Sequence, residues 1–211
     1  MIFLNRLQAG SRLGQVLIDL NLNLTTENGL VLGLPRGGIV VASAVADKLN
    51  LPLDIIVIKK IGAYLNPEYA IAAVGEHALV TNPNEPIDKE YVEAEAHAKR
   101  KEIREQLHFY RNHHPAPEIQ NKTVIIVDDG IATGETMEAA IKEVMEYKPL
   151  SIIVAVPVGP KEAIERIKPF VKSVIYLEIP PIFFAVGEFY ADFMTIPKEE
   201  VKKILARFWQ K

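Results

Sequence analysis

The chain has 211 residues, 49% of them hydrophobic, with a formal net charge of −3 and no cysteine. That length suits one large domain with enough apolar side chains for a full core. The charge excludes the basic footprint of a general nucleic-acid binder. The absence of cysteine excludes disulfides, thiolate metal sites and a thiol nucleophile. No apolar run is long enough to span a membrane. The opening residues, Met1-Ile2-Phe3-Leu4-Asn5-Arg6, lack a basic n-region followed by a long apolar run, so no signal peptide is expected. A cytoplasmic location is the expectation.

Leu4, Leu7, Leu13 and Leu17 recur at helical spacing, which predicts a helix over 12–20 with Ser11 as its N-cap. A polar loop leads to a first strand at 29–34. Pro35-Arg36-Gly37-Gly38 follows, then an apolar helix over 39–49. A strand, a glycine turn and a helix start present free N–H groups and the positive end of a helix dipole, which suits an anion. Arg36 adds a guanidinium that can grip a phosphate bidentately. The competing reading is a tight turn whose glycines only permit close packing.

A second strand, 53–58, ends in Lys59-Lys60 and directs basic charge to the same end of the sheet. A solvated strand end is the competing reading. Residues 60–76 read as a long loop with a short strand at 70–74. A highly charged helix spans 88–112 with a thin apolar stripe of Val92, Ala96, Ile103, Leu107 and Tyr110. Such a helix packs along one edge of a domain, with a dimer arm as the alternative. His97, His108, His113 and His114 fall around it but match no common zinc spacing.

After a linker at 115–122, the most informative stretch is Val124-Ile125-Ile126-Val127-Asp128-Asp129-Gly130-Ile131-Ala132-Thr133-Gly134-Glu135-Thr136. Four apolar residues, mostly β-branched, read as a buried parallel strand. Two carboxylates stand at its carboxyl end, where open α/β sheets bind ligands. The turn 132–136 then enters a helix over 137–147 and offers open backbone N–H groups to a phosphate. Gly134 permits close backbone approach, and Thr133 and Thr136 add hydroxyls. Carboxylates beside a phosphate turn call for a ligand with hydroxyls or a metal. A sugar phosphate meets both needs.

The rest alternates strand and helix: a strand at 151–156, a turn at 157–160, a helix over 161–168 and a last buried strand at 174–177. This pattern predicts an α/β fold with a doubly wound, mainly parallel sheet. The segment 178–196 is rich in aromatic residues. Phe183 and Phe184 are adjacent, so in an extended chain they face opposite ways, one to the core and one to a ligand. Pro197 opens a final amphipathic helix reaching Trp209.

The stretch 124–136 resembles, at every position, the phosphoribosyl pyrophosphate (PRPP) signature of the type I phosphoribosyltransferases. Residues 60–76 and Tyr110-Arg111 resemble a bacterial branch of that family. The resemblance implies a single phosphoribosyltransferase domain over 1–211, with 60–76 as a flexible lid loop and 178–196 as a small hood. It implies transfer of the phosphoribosyl group from PRPP to a nitrogenous acceptor, a nucleobase, with Mg²⁺ as cofactor, pyrophosphate as product and a homo-oligomeric assembly. PRPP would be held by Arg36, Gly37, Gly38, Lys59, Lys60, Asp128, Asp129, Ala132, Thr133, Gly134, Glu135 and Thr136. Asp128, Asp129 and Lys60 become catalytic candidates, with Glu68 in the lid as an acid–base candidate. Mg²⁺ would be carried mainly by PRPP and water, with Asp128 and Asp129 as its protein contacts. The hood resembles that of the hypoxanthine–guanine branch, which assigns Phe184, Ala185, Val186 and Asp192 to the base. Where that branch carries an Asp for the base proton, this chain has Ala132. Two alternatives stay open: a PRPP- or nucleotide-sensing regulator on the same fold, and a relative of the PRPP synthetases.

Overall fold

A computed structural model describes residues 2–82 and 87–209, without the side chain of Glu68. Asn5 caps the first helix, α1 (Arg6–Asp19), its side chain accepting from the Gln8 N–H at 2.9 Å. The helix therefore starts well before Ser11, the expected cap. Leu4 and Leu7, placed on the apolar stripe by spacing, are exposed. The buried face runs instead through Ala9, Gly10, Leu13, Gly14 and Leu17. It packs on α2 (Gly37–Leu49) so closely that a Cβ at Gly10 would stand 2.5 Å from the Val41 carbonyl. Close packing on a neighbour, which periodicity does not report, selected the helix face.

Strands β1 (Gly29–Gly33), β2 (Leu53–Ile55), β6 (Thr123–Val127), β7 (Ser151–Val158) and β8 (Ser173–Glu178) form one parallel sheet in the order β2-β1-β6-β7-β8. The doubly wound sheet is as expected. Its core follows from the two-residue strand period. Val31, Ile125, Val127, Ile153 and Ala155 face α1, α2, α3 (Lys89–Arg111) and α6 (Lys198–Trp209). The alternate residues Leu30, Leu32, Val124, Ile126, Ile152 and Val154 face α4 (Glu135–Glu146) and α5 (Lys161–Ile167). The stripe expected on the long helix, Val92 to Tyr110, is its buried face.

Several elements differ from expectation. β2 ends at Ile55, its last residue paired with β1, and the Ile56 N–H still donates to the Gly33 carbonyl at 3.1 Å. β7 runs on through Pro157 and Val158, since their partner is the edge strand β8. That edge strand is only half-buried, whereas a buried one was expected. The stretch 60–76 is not a long loop, and the strand expected at 70–74 is the end of a longer one. β3 (Lys59–Ala63) and β4 (Asn66–Val74) form an antiparallel hairpin, and β5 (Leu79–Thr81) completes a small separate sheet. Turn residues 64–65 leave room for both strands, and buried Ile61, Ile71, Ala72 and Val74 fix the pairing. This sheet packs on α3 through Ile61 and Ile71, and on α4 through Ala73 and Val80 against Ala139. No described helix is long and apolar enough to cross a membrane.

Candidate active site

The carboxyl ends of β1 and β6 lie side by side, with Leu34 N–H donating to the Val127 carbonyl at 2.9 Å. This register brings the two glycine turns together. At the first, the Pro35–Arg36 peptide is cis and Arg36 is exposed. Gly37 and Gly38 begin α2 directly against the acidic pair. A Cβ on Gly38 would stand 2.6 Å from Asp128 Oδ1, and one on Gly37 would collide with Asp129 Oδ2. Glycine is required at both by close approach. At the second turn, Gly134 takes φ 84°, a left-handed conformation, and opens α4 with no side-chain cap. The first-turn N–H groups thus remain available to an anion.

Beside the second turn lies a cavity of about 160 Å³, which Pro35, Arg36, Gly37 and Gly38 of the first turn do not line. Lys60, Asp128, Ala132, Thr133, Gly134, Thr136 and Val186 all line it, as do Ile131 and Met137. The structure therefore gathers a lysine, a carboxylate, the 132–136 turn and one residue of the 178–196 segment. It also separates residues that the sequence left equivalent. Lys59 and Lys60 alternate across β3. Lys60 reaches the cavity, while Lys59 turns to Glu102 on α3 at 3.7 Å. Glu135 faces away and meets Arg166 at 3.5 Å. Arg166 also bonds Glu138 at 2.8 Å and so braces the first turn of α4. Burial opposes ionisation of Glu138, yet hydrogen bonds from Lys142 and Arg166 hold its carboxyl below the ordinary carboxylate range.

The acidic pair is likewise divided. Asp128 accepts the Asp129 N–H at 2.8 Å and faces the cavity. Burial, and then the neighbouring Asp129 charge, push its carboxyl well above the ordinary range. Asp129 Oδ2 is bound by Arg6 Nε at 2.7 Å. Sequence reasoning missed Arg6, because its partner lies 123 positions away and no local pattern marks it.

In the C-terminal segment, Val186 packs over Gly130 at the cavity edge: a Cβ on Gly130 would come within 2.6 Å of it. Phe184 is 80% exposed. Phe183 is only half-buried, at the edge of the cluster of Phe3, Ala9, Val158 and Tyr190, with its ring centroid 5.5 Å from that of Phe189. The segment packs against Val158 of β7 through buried Tyr190, whose hydroxyl also donates to the Asp129 carbonyl at 2.6 Å. Burial pushes that phenol up. Asp192 accepts the Met194 N–H at 3.1 Å and lines a different cleft, beside Leu7 and Val40. The side chain of Glu68 lies outside the described residues. Among the described residues no group of three or more His, Asp or Glu side chains is placed to hold a metal.

A strand-end carboxylate and a lysine meet a helix-opening glycine turn at the carboxyl end of a parallel α/β sheet. The chain belongs to the phosphoribosyl transferase domain family, whose model matches residues 5–193. A Mycobacterium tuberculosis protein whose name assigns it to the phosphoribosyl transferases is 34% identical over 212 residues, covering 98% of this chain and 47% of that protein. The chain thus spans about half the length of the curated relatives it matches. The crystal structure of a Thermus thermophilus protein, TT1426, is 41% identical, with a TM-score of 0.85 and 99% coverage of both chains. A uracil phosphoribosyltransferase of Aquifex aeolicus is 35% identical over 74 residues, 33% of this chain and 35% of that enzyme.

Proposed function

We propose that the protein transfers the phosphoribosyl group of PRPP to a nitrogen of a nucleobase, with Mg²⁺, and releases pyrophosphate. The observation that carries this reading is the cavity joining Lys60, Asp128 and the open N-terminal turn of α4. The turn 132–136 would anchor the 5′-phosphate through first-turn N–H groups and the hydroxyls of Thr133 and Thr136. Binding energy from that remote group positions C1. Asp128 would accept from the ribose hydroxyls. The C1–oxygen bond breaks with its electron pair leaving on pyrophosphate, the C1–nitrogen bond forms, and the acceptor nitrogen gives its proton to solvent water. Lys60, Arg36 and the N–H groups at the start of α2 would meet the charge gathering on pyrophosphate.

The donor set fits a hard cation. Asp128 is an oxygen donor at the cavity, and a single protein carboxylate suits an ion carried chiefly by phosphate oxygens. Bound there, Mg²⁺ would neutralise pyrophosphate charge. Val186 and exposed Phe184 would bound the acceptor side, and the hairpin carrying Lys60 would serve as the lid. A homo-oligomer is part of this reading.

The test is pyrophosphate release from PRPP and Mg²⁺ in the presence of separate nucleobases. Release with one base, dependent on Mg²⁺, is the expected result. PRPP binding with no release across the whole panel would replace the enzyme with a sensing protein on the same fold.

A further inference from the structure

Asp129 is engaged from several directions. Arg6 Nε donates to Oδ2 at 2.7 Å, and Tyr190 Oη donates to the backbone carbonyl at 2.6 Å. The residue's own N–H donates to Asp128 Oδ1 at 2.8 Å. Oδ2 also lies where Gly37 has no side chain, so a Cβ there would strike it. Arg6 is itself sheltered, its side chain 9% exposed. Its Nη1 donates to the Met194 carbonyl at 2.9 Å, and its guanidinium lies 3.8 Å from the Phe193 ring centroid. One side chain therefore joins α1, the acidic corner, the start of α2 and the chain at 193–194.

Asp128 lines the cavity and Asp129 does not. A carboxylate that meets a diol needs a free oxygen pointing at it. The Asp129 oxygen that Arg6 holds is turned toward Gly37 instead. Losing one member of so sheltered a pair leaves the other charge without compensation, so the pair resists rearrangement. The Arg6 Nε places the positive charge beside Asp129, and its Nη1 adds a second tether to the chain at Met194.

On the PRPP reading above, we propose that Arg6 is a positioning residue. It fixes Asp129 as a strut between the first glycine turn and the C-terminal segment, and leaves Asp128 as the carboxylate that meets the ribose.

The test uses the full chain as wild type and as Asp128→Asn, Asp129→Asn, Arg6→Met, Arg6→Lys and the Arg6→Met/Asp129→Asn double variant. Each is titrated calorimetrically with ribose 5-phosphate, Mg²⁺–PRPP and Mg²⁺–pyrophosphate, and each is melted. Asp128→Asn should weaken ribose 5-phosphate and PRPP by about tenfold or more, with melting near wild type. Asp129→Asn and Arg6→Met should each lower the melting temperature by several degrees. The double variant should fall no further than the worse single one, because the two act as a unit. Arg6→Met should weaken PRPP by about tenfold, and Arg6→Lys should recover most of that loss by keeping the charge beside Asp129.

Additive melting losses would overturn the strut. So would Asp129→Asn weakening ribose 5-phosphate as much as Asp128→Asn while Arg6→Met binds normally, since Asp129 would then meet the ligand itself. Failure of Arg6→Lys to recover PRPP affinity would overturn the positioning role. Wild-type protein that takes up none of the three ligands refutes the PRPP reading, and with it the role of Asp128. A failure confined to the variants refutes only the division between the two carboxylates.

Discussion

Glu143 on α4 is 3% exposed, yet it carries a carboxylate. Its Oε2 accepts the N–H of His77 at 2.9 Å and of Ala78 at 2.8 Å, and its Oε1 accepts the Tyr147 hydroxyl at 3.3 Å. Gly75 must be glycine-small here, since a Cβ would run into the same carboxylate. Residues 75–78 connect β4 to β5, so Glu143 pins the small sheet to the helix that begins at the phosphate turn. Glu143→Ala would leave two backbone donors without their acceptor. Hydrogen bonds to a charged group contribute about 1.5–3 kcal/mol each, and water entering the vacated space recovers part of that. A loss of about 3–4 kcal/mol follows, and in a chain of this size it lowers Tm by about 6–16 °C. Glu143→Gln keeps a carbonyl acceptor and loses only the charge, so about half that loss is expected. Urea unfolding with linear extrapolation measures both. Amide hydrogen exchange at residues 77 and 78 should speed up in Glu143→Ala before exchange in β6 does. A Glu143→Ala protein within about 1 kcal/mol of wild type would refute the clamp, because unpartnered buried donors cannot be that cheap.

Two further outcomes follow from the same geometry. Lys60→Ala should weaken PRPP about ten- to hundredfold by calorimetry, through loss of a charge-assisted contact, while Lys59→Ala should change both binding and stability little, since its partner Glu102 is exposed and 3.7 Å away. Equal losses from the two lysines would contradict their placement on opposite faces of β3. Phe184→Ala should leave thermal melting within about 0.5 kcal/mol of wild type, given its exposure, while weakening a stacked base by roughly one to two decades. Phe183→Ala should cost stability instead, about 1–2 kcal/mol for a half-buried ring stacked on Phe189.

The features legible in the sequence are those that local chemistry dictates. A β-branched apolar run followed by two carboxylates and a glycine turn can satisfy its backbone in few ways, so β6, the acidic corner and the start of α4 could be read directly. The alternation of strand and helix implied the parallel sheet, and the thin stripe on α3 named its buried face residue by residue. Tertiary contact decided the rest. Glycines that lower helix propensity became the packing face of α1, because α2 lies close enough to need them. The stretch 60–76 looked like a loop because its strand residues interleave with glycine, proline and polar positions. Pairing across the hairpin and burial between α3 and α4 made it a sheet. Adjacent lysines and adjacent aspartates look interchangeable in a string of letters. They cease to be so once a strand sends neighbours to opposite faces, and once an arginine more than a hundred residues away claims one carboxylate of the pair.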